Sequence, residues 1–432
     1  MARLASLLAL VLCLALALPS CRGRSLPASV DEPIRIGVVL PQSGGLAQDG
    51  QAWVRGVRLA AAEVNAAGGL LGGRRVELLV RDSGTDAQAG VESAREVLDM
   101  GAVAIIGDGG SAASLSVYQQ VVQMAADPVV QISGSATSSS LTAANLALPA
   151  TDRYFFRTAP PDGYQAQVVD RIATMVASPA CTSLAILYQD DAYGMPLASG
   201  IRTLFMAHGT VGAFVPFMTA QPSYTTEVQR IADATPDCVA LIAYPQDAGV
   251  ILRDWAMLSS PPTVQWIGTD GLFSDDFIAE AGSDTLVAGF LGASPLTTPP
   301  TPEFNDFAAR YDAAYGHAPE NFVSSYYDAT ALVLLAIESA GNTEGADVRD
   351  ALRIVGGRTG TRVAHAGDLR TALASLHTSP VRPLNYQGAS GPIDFDESGD
   401  TVAPYEIWRI TGSPADFAEV ARVEAADLTP LP

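Results

Sequence analysis

Three polar positions of the chain stand where a small charged molecule could bind. Ser111 follows Gly109-Gly110 and precedes a helical stretch, whose free N–H groups and dipole favour an anion. Asp270 directly follows an apolar run, where a buried acid needs a cationic partner. The polar stretch 133–142 follows another apolar run. Simpler interpretations remain open: a helix N-cap for Ser111, a turn at Asp270-Gly271 and a solvated Ser/Thr loop.

An alternating strand–helix pattern, which occurs twice along the sequence, would position these residues. The predicted strands of the first run are Ile34–Leu40, Arg74–Arg81, Val103–Gly107 and Val129–Ser133, and those of the second are Ser183–Tyr188, Val211–Phe217, Val239–Tyr244 and Val264–Thr269. Predicted helices cover 50–67, 86–100, 111–126, 302–315, 320–341 and 346–355, with further extended segments at 154–158, 285–291 and, last, 405–410. This order predicts an α/β protein with two doubly wound parallel sheets, which bind ligands at the carboxyl ends of their strands.

The N-terminus predicts export. Arg3 and the apolar run Leu4–Leu18 are typical of a signal peptide covering residues 1–20, too short to span a membrane. The run ends in Leu18-Pro19-Ser20-Cys21, which resembles the lipobox of bacterial lipoproteins, so Cys21 is expected to carry the lipid and residues 21–33 to form a tether. Pro19 is unusual there, and simple secretion remains an alternative. No later stretch is apolar enough to cross a membrane.

Two cysteines remain after this processing. Cys181 and Cys238 each precede a strand of the second run, the first and the third. These two strands lie side by side in a doubly wound sheet, so both sulfurs would meet at one edge. In an oxidising compartment this predicts a disulfide, with two buried thiols as the alternative.

Composition and missing motifs exclude several function classes. The 432-residue chain has a formal charge of −21, which argues against nucleic-acid binding, and all its basic residues are Arg. Without Lys it has neither a Walker A loop nor a pyridoxal Schiff base. The four His residues show no metal-ligand spacing, and 394–400 begins like a calcium loop but lacks the closing Glu. We expect no enzyme activity, cofactor or metal.

Several short sequence segments, taken in order, resemble those of one protein family. They are Val39–Gly44, Glu63–Gly69, Ile105–Gly107, Ser133–Thr137, Asp191–Gly194, Tyr327–Ala329 and Asn385–Gly391. They look like the type I periplasmic binding proteins of the leucine/isoleucine/valine class, which deliver ligands to ABC importers. The resemblance implies a clamshell of two lobes joined by three crossing strands, with lobe one at 34–157 plus 290–395 and lobe two at 158–289 plus 396–432.

The resemblance also implies where a ligand binds. Ser111 and Thr137 match the residues that hold the α-carboxylate, Ser135 or Ala136 supplies a carbonyl, and Tyr193 and Tyr244 line the pocket. Asp270 matches the family glutamate that pairs with the α-ammonium, but is one methylene shorter. Asp49 stands where branched-chain binders carry an aromatic ring, so it either makes the pocket more acidic or points to solvent. Tyr327 either reaches the cleft or packs in the core.

The resemblance therefore predicts binding of an amino acid or similar small polar solute between the lobes. The expected partner is an ABC permease, with a ligand-sensing receptor subunit as the alternative. The protein is expected in the periplasm or cell envelope of a bacterium, lipid-anchored and monomeric.

Overall fold

The computed structural model describes residues 32–357, 362–376 and 384–429, so the predicted signal peptide and Cys21 lie outside the described residues. The strands are β1 (Ile34–Leu40), β2 (Val76–Asp82), β3 (Ala102–Gly107), β4 (Val130–Ser133), β5 (Phe155–Arg157), β6 (Ser183–Gln189), β7 (Thr210–Phe217), β8 (Cys238–Ile242), β9 (Gln265–Gly268), β10 (Leu291–Pro295), β11 (Arg362–His365), β12 (Leu384–Gly388), β13 (Gly391–Pro392), β14 (Tyr405–Thr411) and β15 (Asp416–Val423). The helices are α1 (Ala47–Ala67), α2 (Ala87–Asp99), α3 (Ser111–Val117), α4 (Ser139–Leu146), α5 (Asp162–Arg171), α6 (Gly194–Phe205), α7 (Thr225–Asp233), α8 (Pro245–Ala256), α9 (Asp275–Ala281), α10 (Asp284–Val287), α11 (Pro302–Tyr315), α12 (Val323–Ala340), α13 (Gly345–Val355) and α14 (Leu369–Leu376). None of the helices in the described ranges is long and apolar enough to cross a membrane.

The first lobe is built on a parallel sheet with strand order β2-β1-β3-β4-β5. Helices α1, α12 and α13 cover one face, and α2 and α3 cover the other. The near-continuous apolar sequence of β1 follows from this burial on both faces. Helix α1 ends where Gly68 adopts a left-handed conformation (φ 118°), as the glycine stop in the sequence predicts. A π-helical segment, Tyr118–Val122, continues α3.

The second lobe has a seven-stranded sheet with order β15-β14-β10-β9-β8-β6-β7. Helices α5 and α6 pack on one face and α7 and α8 on the other. Strands β6 to β10 are parallel, whereas β14 and β15 join the edge in antiparallel pairing. The prediction that Tyr405–Ile410 is the last strand was therefore wrong, because β15 follows it.

The chain passes between the lobes three times, at 158–161, 296–301 and 393–404. Leu296 donates its N–H to the carbonyl of Pro404 (2.8 Å), which ties the second and third passages together. Strand β10 lies in the second sheet, so the predicted start of this part of lobe one at residue 290 was wrong, and we propose a boundary after Pro295. The segment 285–291 was predicted as extended, but its first three residues lie in α10, because Ser283 caps this helix by accepting from the N–H of Thr285.

The predicted disulfide is present. Cys181 and Cys238 are bonded, with their Cα atoms 5.9 Å apart. They meet because β6 pairs directly with β8, with Leu184 opposite Cys238. The strand order of a doubly wound sheet therefore predicted the bond correctly.

Two of the sequence segments that carry the family resemblance, Tyr327–Ala329 and Asn385–Gly391, meet inside the first lobe. The carboxylate of Asp328, fully buried on α12, accepts from the N–H groups of Ala389 (2.8 Å) and Ser390 (2.7 Å) and from the hydroxyl of Tyr386 (2.8 Å). These contacts anchor a small sheet of order β11-β12-β13 against α12. These two segments therefore stabilise the first lobe and do not line the cavity between the lobes.

Candidate functional site

A cavity of about 410 Å³, part of it open to solvent, lies between the two lobes. Lobe one contributes Leu46, Asp49, Trp53, Gly109, Ser111, Ser135, Thr137, Asn321 and Phe322, and lobe two contributes Tyr193, Tyr244, Asp270, Gly271, Phe273 and Ser274. Seven of the nine predicted ligand-binding residues are among them, namely Ser111, Ser135, Thr137, Tyr193, Tyr244, Asp270 and Asp49. The cavity lies at the carboxyl ends of β3, β4 and β9, as expected for open parallel sheets.

Hydroxyl groups form the side of the cavity on lobe one. Ser111 is the first residue of α3 and not its N-cap, which is Gly110, so the N-cap interpretation was wrong. Its Oγ instead accepts from the N–H of Ser138 (3.2 Å). Ser135 donates to the carbonyl of Gly109 (2.9 Å), and Thr137 is almost fully buried. The first amides of α3 have no helical carbonyl to bind, which leaves N–H donors beside these hydroxyls.

The facing side, on lobe two, carries an acid between aromatic rings. The hydroxyl of Tyr193 donates to Oδ1 of Asp270 (2.6 Å), and the Tyr193 ring stacks on Tyr244 with centroids 5.4 Å apart. Burial raises the pKa of Asp270 above the usual value of an aspartate, and the hydrogen bond from Tyr193 opposes this rise. A side chain at Gly271 would meet the carbonyl of Ala243 at 2.8 Å, so glycine lets the segment after β9 pack closely on the segment after β8.

Asp49 faces the cavity, which settles one alternative left open by the sequence. It lies in the first turn of α1, and its Oδ1 accepts from the hydroxyl of Ser274 on the other lobe (3.3 Å). Burial, followed by the carboxylate of Asp276, raises the pKa of Asp49 from 3.8 to about 7. Asp49 is therefore a pocket residue, although it stays partly exposed.

An apolar wall beside Asp49 was missed by the sequence analysis. Trp53 lies one helical turn after Asp49, stacks on Tyr326 with centroids 5.1 Å apart, and donates its indole N–H to the carbonyl of Asn321 (3.0 Å). Phe322 meets the Trp53 ring edge-on. The spacing of four between Asp49 and Trp53 was a usable signal, since such residues share a helix face.

Two predicted site residues lie elsewhere. Ala136 does not line the cavity, and its carbonyl accepts instead from Nη1 of Arg157 (3.1 Å). Tyr327 is fully buried on another face of α12, where its hydroxyl donates to Glu63 (2.5 Å). The neighbouring Tyr326 points toward the site and bonds Ser135 (2.9 Å). Successive helical residues differ by about 100° in direction, so the sequence did not separate the two tyrosines.

Direct contacts hold the lobes together around the cavity. Ser138 donates its hydroxyl to the carbonyl of Ala192 on the other lobe (2.5 Å), and Asp49 and Ser274 meet across the cleft as described above. The structure is thus a closed clamshell. Donors on one lobe and a carboxylate on the other are complementary to a small molecule with both an anionic and a cationic group.

Known proteins resemble this chain over most of its length. The chemotactic signal transduction system substrate-binding protein BasB of Halobacterium salinarum is 26% identical over 412 residues, 90% of each chain. Leu/Ile/Val-binding protein homolog 8 of Brucella abortus is 28% identical over 302 residues, 67% of this chain and 72% of the relative.

Solved structures share the fold. The leucine-binding protein LivK of Thermotoga maritima superposes with a TM-score of 0.73 at 20% identity, covering 91% of this chain and all of that one. LivJ of Streptococcus pneumoniae, in complex with isoleucine, gives 0.71 at 20% identity and covers 90% and 99%. The sequence model described as "periplasmic binding protein" matches residues 33–374. On this match the chain belongs to the periplasmic binding protein family.

Proposed function

We propose that the protein binds a free amino acid between its lobes outside the cytoplasm and delivers it to an ABC importer. The single observation that carries the proposal is the arrangement of opposite partners across the cavity. Ser111 and Thr137 on lobe one supply donors for a carboxylate, and Asp270 on lobe two supplies an acceptor for an ammonium group. The relatives named as Leu/Ile/Val-binding proteins support this ligand class.

Hinge closure would be the mechanism. A ligand that contacts both lobes stabilises the closed state by its contacts on the second lobe, because the open state can offer only one set. Closure would then present a joint surface of the two lobes to the permease. No covalent step is required of the binding protein.

Titration calorimetry of the purified protein with the free amino acids tests the ligand class. We expect Asp270→Asn to weaken binding of the preferred amino acid at least tenfold, because the ammonium loses its charged partner. Asp233→Asn is the matched control, since Asp233 is exposed on α7 of the same lobe, and it should leave the affinity unchanged. Equal effects of the two variants on the affinity would show that Asp270 does not contact the ligand.

A second candidate is a sensing subunit whose closed form signals to a receptor. The observation in its favour is the name of BasB, which is similar to this chain over 90% of both sequences and acts in chemotactic signalling. Deleting the gene distinguishes the roles: a transport role predicts loss of amino-acid uptake, whereas a sensing role predicts normal uptake and loss of the behavioural response.

We also propose that Cys21 carries a lipid that holds the monomeric protein at a bacterial membrane. The support is the lipobox-like sequence before Cys21, in Leu18-Pro19-Ser20-Cys21. Labelling with a radioactive fatty acid should mark the protein and fail on Cys21→Ser. Unchanged membrane association of that variant would refute the anchor, and size-exclusion chromatography would check the monomer.

A further inference from the structure

The charges that line the cavity are all of one sign. Asp49 and Asp270 both line it, whereas no Arg or His side chain of the described residues 32–357, 362–376 and 384–429 does, and the sequence contains no Lys. An amino acid with an uncharged side chain brings one cation and one anion. It would pair its ammonium with Asp270 and its carboxylate with the hydroxyl side, and leave Asp49 without a countercharge.

The two carboxylates stand in different parts of the site. Asp270 lies within the cluster formed by Tyr193 and Thr269. Asp49 contacts Ser274, and the acids that act on it most strongly are Asp276 and Glu320. In our proposal, a ligand that pairs its α-ammonium with Asp270 meets Asp49 with its side chain.

A third carboxylate reinforces the end of the site that holds Asp270. Asp162, the first residue of α5, is 2% exposed, and in the described part of the chain neither of its oxygens has a hydrogen-bond partner of acceptable geometry. Its N–H donates to the carbonyl of Thr137 (2.8 Å), which lines the cavity. Burial and, to a smaller extent, the charge of Asp270 raise the pKa of Asp162 well above the usual value of an aspartate. The nearby hydroxyl of Thr137 opposes this rise. A cation at Asp270 would compensate both acids.

The surroundings of Asp49 suit a long side chain that ends in a charge. Trp53 and Phe322 offer apolar faces beside the carboxylate, which can pack methylene groups and stabilise a cation by its attraction to the rings. An aliphatic side chain of the same length would instead place methyl groups against Asp49. At pH 8, above the pKa of Asp49 of about 7, its carboxylate would then face apolar groups without a charged partner, which is unfavourable.

Building on the amino-acid-binding function proposed above, we propose that the preferred ligand is an amino acid whose side chain ends in an ammonium or guanidinium group. Asp49 holds that terminal cation, and Asp270, with Asp162 behind it, holds the α-ammonium. Asp49 thus selects against the aliphatic ligands named for the relatives of this chain, because it lies where their side chains would end.

Calorimetry at pH 8 with L-lysine, L-ornithine, L-arginine, L-glutamine, L-norleucine and L-leucine tests the inference. Norleucine has the same carbon chain as lysine without the terminal charge. We expect at least one of the three cationic amino acids to bind tenfold more tightly than norleucine or glutamine. Asp49→Asn should remove this preference, whereas Asp162→Asn should weaken cationic and neutral ligands alike.

Asp275→Asn is the matched control, because it removes one exposed negative charge near Asp49 without altering the cavity. It should change the affinity for the cationic ligand less than threefold. Tighter binding of norleucine, leucine or glutamine, with no response to Asp49→Asn, would overturn the cationic preference while the amino-acid-binding function stands. Failure of the folded protein to bind any amino acid would overturn both.

Discussion

Replacing Arg157 by Met should destabilise the protein severely. The side chain of Arg157 is fully buried, and its Nε pairs with Oδ1 of Asp400 at 2.7 Å. Its two terminal nitrogens donate to the carbonyls of Ala136 (3.1 Å) and Ser138 (2.9 Å) and to the hydroxyl of Thr142 (2.5 Å). One guanidinium therefore joins the loop that forms the ligand site to the third passage between the lobes.

The expected loss follows from these contacts. Leaving one member of a buried ion pair without its partner costs about 3–5 kcal/mol. Each carbonyl left without a donor adds about 1–3 kcal/mol, and a water molecule that binds such a carbonyl reduces this cost. We therefore expect Arg157→Met to lower the free energy of unfolding by about 5 kcal/mol, a large part of the roughly 5–15 kcal/mol typical of a folded protein.

Urea unfolding followed by tryptophan fluorescence would measure this loss. Arg422→Met is the control, since Arg422 pairs with Glu419 at the surface (2.6 Å), and its loss should cost no more than about 1 kcal/mol. If Arg157→Met does not fold, Arg157→Lys, which keeps the charge but not the fork of donors, should show an intermediate loss. Losses for the Met and Lys variants no larger than that of the control would refute the reasoning.

Three further predictions concern the disulfide, buried acids and the pocket wall. Reducing the Cys181–Cys238 bond, which closes a separation of 57 residues, should lower the free energy of unfolding by about 4 kcal/mol, measured in urea with and without reductant; an unchanged midpoint would contradict this. Burial raises the pKa of Asp108 from 3.8 to about 7, so the folded chain binds more protons than the unfolded chain between these values, and stability should fall as the pH rises from 4 to 7. Thermal melts should show a smaller fall for Asp108→Asn, and an equal fall would exclude Asp108 as its source. A side chain at Gly109 would overlap the Trp53 ring, so Gly109→Ala should weaken ligand binding at least tenfold in calorimetry, whereas Gly212→Ala, whose new atom would have neighbours no closer than 3.6 Å, should not.

The sheets were predictable because their inner parallel strands, such as β1, β4 and β8, are buried on both faces. Strand β1 reads IRIGVVL, and only its second residue is not fully buried. Such apolar runs, separated by helices, predict a parallel sheet by themselves. Strand β15 was missed because it is a mostly exposed edge strand with no apolar run. Its place depends on pairing with β14, which the local sequence does not encode.

The predicted site was partly right for a similar reason. Residues directly after a strand, such as Asp270, can be assigned to the cleft from topology alone. Residues on a helix cannot, because the side that faces the cavity depends on how the helix packs. Trp53 on α1 was overlooked for this reason. Asp162 was overlooked because its proximity to Asp270 arises only when the chain has crossed between the lobes.

The antiparallel insertion of β14 beside β10 has a consequence for biogenesis. More than a hundred residues separate these neighbours along the chain, and the helices α11 to α14 are synthesised between them. During synthesis from the N-terminus, one edge of the sheet formed by β6 to β10 stays unpaired until β14 and β15, at 405–423, have been made. The unpaired edge of β10 can therefore pair with other chains until the second lobe is complete. Removal of the residues beyond 404 would leave this edge permanently exposed.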